Sequence, residues 1–132
     1  MTTRVATPQA RCRAGVSRRD ITPPAGIYHR MWGAAMHDRA EGVHKPLLAT
    51  MVWLEPMSAA SGPPLVIVSL DHCILDGREI EAMREAVARA VGIDASSALV
   101  TVSHTHGSGW MSRERSHLPG GDLIGPYLDG LR

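Results

Sequence analysis

No apolar run in this 132-residue chain approaches the ~20 residues that a bilayer-spanning helix needs, so the sequence offers no transmembrane segment. Met1 to Ala10 lacks the apolar core of a secretory signal, which makes a cytoplasmic location the expectation from sequence. Neither sign of charge is in excess. Fourteen Lys and Arg stand against 13 Asp and Glu, a formal net charge of +1, which leaves no electrostatic footprint for nucleic acid. The mild cluster Arg4, Arg11, Arg13, Arg18 and Arg19 reads as a solvated N-terminal segment. Cysteine is scarce: Cys12 and Cys73 stand in no metal or redox spacing and read as two reduced, partly buried thiols. Internal repeats and low-complexity tracts are also lacking.

What is present suits one globular domain. Hydrophobic residues make up 44% of the chain and charged residues 20%, enough for a modest core. Residues 1–12 read as a flexible leader. Arg13 to Ile21 is a first strand, closed by Thr22-Pro23-Pro24, whose prolines bar helix and end strand pairing. Gly26 to Lys45 has no clean period and reads as a long loop carrying Tyr28, His29, Trp32, His37 and His44. Leu47 to Leu54 is a second strand, followed by the turn-rich Glu55 to Pro64. Leu65 to Leu70 is a continuous, largely β-branched run, as in a strand buried on both faces. A helix follows, with Asp76 as N-cap and Glu79 completing a capping-box pattern. Ile80, Met83, Val87 and Val91 recur at helical spacing with Ala86 and Ala90 on the same side, and Gly92 supplies the stop. Ala98 to Ser103 is the next strand. Asp122 to Arg132 reads as the start of a helix, or a loop leading into one, and the sequence reads as cut off there.

Strand, amphipathic helix and strand within about forty residues make a βαβ unit, with parallel strands and a right-handed crossover. The expected fold is therefore α/β: a mixed sheet containing that unit, an incomplete part of a larger catalytic domain. The topology puts Asp71 and His72 after one strand and His104 and His106 after its parallel neighbour. Both groups fall at carboxyl ends, where open α/β sheets bind ligands.

The segment Val102-Ser103-His104-Thr105-His106-Gly107-Ser108-Gly109 carries the chemistry. Side chains two apart on a strand share a face, so His104 and His106 are expected to project together at its end, before a flexible Gly-Ser-Gly loop. Two imidazoles give a divalent metal half of a ligand shell; a catalytic zinc takes about three protein ligands and keeps a position open. Asp71 is a candidate third ligand, an acceptor that orients an imidazole, or simply a cap on a turn. His72, adjacent in sequence, faces the other way. His29, His37 and His44 could reach the site from the long loop, His44 reads as structural, and His117 as exposed. Gly107-Ser108-Gly109 is not a nucleophile elbow; its expected part is to let backbone amides approach an anion or oxyanion. Trp110 is a candidate pocket wall.

Several segments, in order, resemble the neutral/alkaline non-lysosomal ceramidase family. They are Gly15-Val-Ser-Arg-Arg-Asp-Ile-Thr-Pro-Pro24, Trp32-Gly33, Gly42-Val-His-Lys-Pro-Leu-Leu-Ala49, Val68-Ser-Leu-Asp71 and Ser103-His-Thr-His106. The last is close to that family's Thr-His-Thr-His-Ser-Gly-Pro signature. The resemblance runs from about residue 13 to the end, with residues 13–132 as the N-terminal portion of the hydrolytic domain. It implies a zinc-dependent amidase that cleaves the N-acyl bond of ceramide, or of a related N-acyl lipid, to sphingosine and fatty acid. It also implies His104 as a zinc ligand, His106 as a ligand or hydrogen-bond partner, and Asp71 in support of the site.

The resulting assignments are His104 and His106 for metal, His106 and Asp71 for catalysis, and Ser108, Gly109 and Trp110 for the substrate pocket. The implied partner is a lipid-like small molecule, and the implied location is secreted or membrane-associated. The family's Ser-Gly-Pro is Gly107-Ser108-Gly109-Trp110 here, so the wall beside the metal differs. Family members are several times longer, and their second zinc histidine, zinc-binding Glu and Tyr, and serine come later in the chain. With only the two histidines as ligands, negligible amidase activity is expected of these 132 residues alone. The alternative is a truncated, non-catalytic α/β fragment that binds metal weakly at most and exposes apolar surface and sheet edges. A metallo-β-lactamase pattern fails, because Ser108 and Gly109 occupy the positions where Asp and His are needed. Imidazole and oxygen donors suit zinc but also other first-row metals.

Overall fold

The computed structural model describes residues 11–132; residues 1–10, most of the expected leader, lie outside the described residues. The elements in chain order are β1 (Cys12–Asp20), β2 (Leu48–Pro56), β3 (Leu65–Leu70), β4 (Ile74–Leu75), α1 (Gly77–Val91), β5 (Ala98–Val102), β6 (Trp110–Met111) and α2 (Ile124–Gly130). β1 ends where the sequence says it must. The Asp20 carboxylate accepts the Thr22 N–H at 2.8 Å, and the Thr22 hydroxyl accepts the Leu47 N–H at 2.9 Å, turning the chain out of the sheet before Pro23 and Pro24. Cys12 already pairs with Pro56 as the first residue of β1, and its thiol is exposed rather than partly buried.

The main sheet runs β1-β2-β3-β5. β1–β2 and β2–β3 are antiparallel, while β3–β5 is parallel and joined through α1. This is the mixed sheet with a βαβ unit that the sequence predicts. β4 and β6 form a separate parallel pair. Val66, Val68, Leu70 and Val100 alternate inward and pack with Met83 of α1. Ile124 and Leu128 of α2 are fully buried in the same core.

The opposite face of the sheet corrects one expectation. β3 is buried on one side only, because nothing among the described residues packs on the other. Val16, Val52, Ile67 and Leu99 pair across all four strands in one continuous row, and its end members Val16 and Leu99 are 67% and 52% exposed. The exposed apolar surface that the fragment alternative called for is therefore present.

The start of α1 corrects another. Asp76 occupies the N-cap, but its side chain makes no cap bond; it accepts the Ser112 hydroxyl at 2.8 Å instead. Glu79 does not reach back to complete a capping box. Its carboxylate is buried and accepts Arg113 Nε–H at 2.8 Å and Arg132 Nη2–H at 2.7 Å, and these charge-assisted bonds outcompete a single backbone N–H. At the other end Gly92 takes the left-handed conformation and closes onto Ala88 O, as expected. Ala88 rather than Ala90 lies inside; Ala90 is exposed.

Gly26 to Lys45 holds no regular element beyond one isolated bridge, Tyr28 to Arg39. It is nonetheless pinned. Gly26 N–H bonds Ala40 O, Ala40 N–H bonds Ile27 O, and Tyr28 N–H bonds Gly120 O. Its stem is therefore fixed against the chain that follows β6, and its Trp32 lies against His106 in the turn after β5. No described helix is long and apolar enough to cross a membrane.

Candidate metal centre

His104 and His106 do come together, though not by strand alternation. β5 ends at Val102. His104 takes φ +60°, in the left-handed region, the one such non-glycine among the described residues. That conformation costs roughly 1–2 kcal/mol and persists where surrounding contacts impose it. The chain then enters a single 3-10 turn, His106–Ser108, with the Thr105 hydroxyl accepting Gly107 N–H. This reversal sets the two imidazoles edge to face, ring centroids 5.4 Å apart.

The third member is Cys73, two residues beyond Asp71 on the other arm of the βαβ unit. Its Sγ lies 3.6 Å from His104 Nδ1 and 3.8 Å from His104 Nε2. Cys73, His104 and His106 each offer a ligand atom, and these all lie within 4.8 Å of one another. Thiolate and imidazole are donors that zinc accepts, and three is the protein's share of a catalytic zinc shell. In such a shell the donors sit about 3.5 Å apart, so the cluster needs to close by roughly an ångström. The donor set thus fits a zinc ion. Burial pushes the Cys73 thiol up, so metal binding there must displace a proton.

The surroundings hold this cluster in place. Ser108 is fully buried; its hydroxyl accepts the Cys73 N–H at 3.0 Å and donates to Gly109 O at 3.1 Å. Here the hydroxyl fixes the Cys73 backbone. Gly109 is buried with φ +74°, and a Cβ there would meet the His29 backbone at 3.1 Å, so the position needs glycine. Trp110 is half-buried with the Arg115 guanidinium 3.9 Å over its ring. The Asp71 carboxylate accepts Leu48 N–H at 2.9 Å and the Ser103 hydroxyl at 3.2 Å, tying together the chain at β2, β3 and β5. Asp71 also lines a cavity of about 500 Å³ with His29, His44, Thr105 and Gly107.

From the long loop, His29 donates Nε2–H to Gly107 O at 3.1 Å and stacks on His37, while Trp32 lies against His106 with ring centroids 4.4 Å apart. His117 is exposed.

His72 turns away from the cluster, as expected, into the core. It is fully buried. The Tyr127 hydroxyl donates to Ile21 O at 2.7 Å, so its oxygen accepts from His72 Nε2–H, also at 2.7 Å. That assigns a neutral ring with a bare Nδ1, which has no partner among the described residues. Burial pushes its pKa down to about 4, against a smaller opposing pull from Asp71. The sign follows directly. Below the unfolded value of about 6.5 the unfolded chain takes up a proton that the folded chain refuses, so stability present above that pH falls by about 3 kcal/mol towards pH 4. Urea melts at pH 7 and pH 4.5 should show this loss in the wild type and a clearly smaller one in His72→Phe. Equal losses would contradict the assignment.

No protein-family model and no curated protein sequence matches the chain. Solved structures do match its fold, among them two ceramidases. One is neutral ceramidase from Pseudomonas aeruginosa, 23% identical, with a TM-score of 0.65 over 94% of this chain and 21% of that one. The other is a ceramidase complexed with C2, 23% identical, with a TM-score of 0.67 over 93% of this chain and 20% of that one. The fold is similar to part of a neutral ceramidase. This chain spans about a fifth of the length of those ceramidase chains.

Within this ceramidase-like fold the sequence identified two of the three clustered donors and missed Cys73. The signal was available. Cys73 follows Leu70 by three residues, so it leaves the carboxyl end of β3 beside the end of β5, whose strand it pairs with in parallel. A search for Cys-x-x-Cys spacing cannot find a ligand contributed across a βαβ unit. The reach of Trp32 and His29 is set by how a long loop folds back, which no local pattern encodes.

Proposed function

We propose that this chain forms part of a zinc-dependent amide hydrolase of the neutral ceramidase kind, acting on the N-acyl bond of ceramide or a related N-acyl lipid. The observation that carries the reading is the convergence of Cys73, His104 and His106 at the carboxyl ends of two parallel strands in a ceramidase-like fold. A zinc ion held by Cys73, His104 and His106 would supply Lewis acidity for amide hydrolysis. The chain's own residues build the surroundings of that site. Ser108 fixes the Cys73 backbone, Asp71 fixes the strand ends, and the cavity beside Thr105 and Gly107 offers room for part of a substrate. On this reading His106, exposed and flanked by Thr105 and Gly107, is the metal donor on the side of the reacting amide.

Cys73 changes the expectation for activity. Two histidines alone hold a metal poorly, whereas three donors match a catalytic shell. Zinc-dependent release of fatty acid from a short-chain ceramide is therefore expected of a chain that also carries the later residues of the family, and its loss in His104→Ala. Release that is equal in the two proteins, or indifferent to zinc, would contradict the proposed function.

A further inference from the structure

The two histidines of the cluster are held differently. His104 is fixed by hydrogen bonding, its Nδ1 bonding Cys73 O at 3.2 Å, and by the main chain itself, which turns back at this residue. Both residues are exposed, but no hydrogen bond holds the His106 ring among the described residues. A metal-ligating imidazole is ordinarily oriented by a partner beyond the metal, and the indole of Trp32 lies against the His106 ring.

Trp32 is carried on a segment built to hold it there. His29 N–H bonds Asp38 O at 2.7 Å, Ala35 N–H bonds Trp32 O at 2.9 Å, and the Tyr28–Arg39 bridge closes the base. The same segment grips the metal loop directly, through His29 Nε2–H on Gly107 O, one residue past His106. Gly109 lets the His29 backbone approach that closely. The indole is tilted 36° to the imidazole, and Trp32 remains 44% exposed, so little of it is buried in the core. An aromatic that adds little to the core yet lies against a metal-binding ring is suited to orient that ring.

We propose that Trp32 is the positioning residue of the centre: its indole sets the orientation of the His106 imidazole and through it the affinity for zinc. This rests on Cys73, His104 and His106 being metal ligands. It goes beyond that reading by giving the Gly26–Lys45 segment a part in assembling the centre.

Two measurements on the 132-residue chain test it, with Trp32→Ala and Trp32→Phe as variants. In zinc titrations against a chromophoric chelator, Trp32→Ala should weaken binding by about tenfold, and Trp32→Phe should restore most of it, with melting temperatures unchanged. In the metal-free chain, proton spectra of the imidazoles should show the His106 ring signals moving downfield in Trp32→Ala as the indole ring current is lost. The His104 signals should stay in place. Wild-type zinc affinity in Trp32→Ala, or equal damage in both variants, would overturn the proposal. Should the wild type bind no zinc, the metal reading fails by itself, and unchanged His106 signals in the metal-free Trp32→Ala chain would then overturn the positioning role separately.

Discussion

Arg113→Ala is expected to destabilise the fold by about 3 kcal/mol, while Glu79→Leu costs clearly less. The asymmetry comes from which charge is stranded. Glu79 lies inside the first turn of α1 with its side chain 6% exposed, and its two carboxylate oxygens are divided between Arg113 and Arg132. Burial alone would raise its pKa, but hydrogen bonds from Arg113 and then Arg132, with their charges, hold the carboxyl below its usual value. Removing Arg113 leaves a buried carboxylate with one partner and also frees Asp129, which Arg113 holds at 2.6 Å. Removing Glu79 instead releases two arginines that are already more than a third exposed and can turn to water. The Arg113 figure sits at the low end of what breaking a buried pair costs, because Arg113 is partly solvated. Urea unfolding of the two variants against wild type reads the order. A larger loss for Glu79→Leu would show that the paired carboxylate is itself net stabilising, and would contradict this account.

The second large effect belongs to the metal. Cys73→Ala is expected to weaken zinc binding on the order of a hundredfold or more, since one of three protein donors is lost from a site whose total affinity they share. Cys73→Ser should rescue little, because a hydroxyl is a poor zinc donor beside a thiolate. The fold should tolerate both changes. The contact that ties Cys73 to the core is its backbone N–H on Ser108, which neither substitution removes. Chelator competition gives the affinity, and melting temperature confirms that the variants stay folded.

Much of this architecture is legible in the residues. β3, α1 and β5 are marked by a branched apolar run, a 3.6-residue period with a glycine stop, and a second short apolar run, and their order alone makes β3 and β5 parallel neighbours. What local pattern cannot reveal is where long-range partners intervene. Asp76 and Glu79 have the spacing of a capping box, yet Ser112, Arg113 and Arg132 arrive from more than thirty residues away and claim both carboxylates. Leu65 to Leu70 reads as buried on two faces because its composition is apolar throughout; whether a second layer covers Ile67 depends on chain that is not beside it in sequence. The metal cluster divides the same way. His-Thr-His is visible as a motif, but its convergence depends on a left-handed His104 and a 3-10 turn. Cys73 joins through topology rather than spacing.

The central claim is that Cys73, His104 and His106 together hold a zinc ion. Elemental analysis of the purified 132-residue chain tests it most directly, alongside Cys73→Ala, His104→Ala and His106→Ala. About one zinc per chain is expected in the wild type, lost in all three variants. A well-folded wild type without zinc, or zinc content that survives the loss of Cys73 and His104, would contradict it.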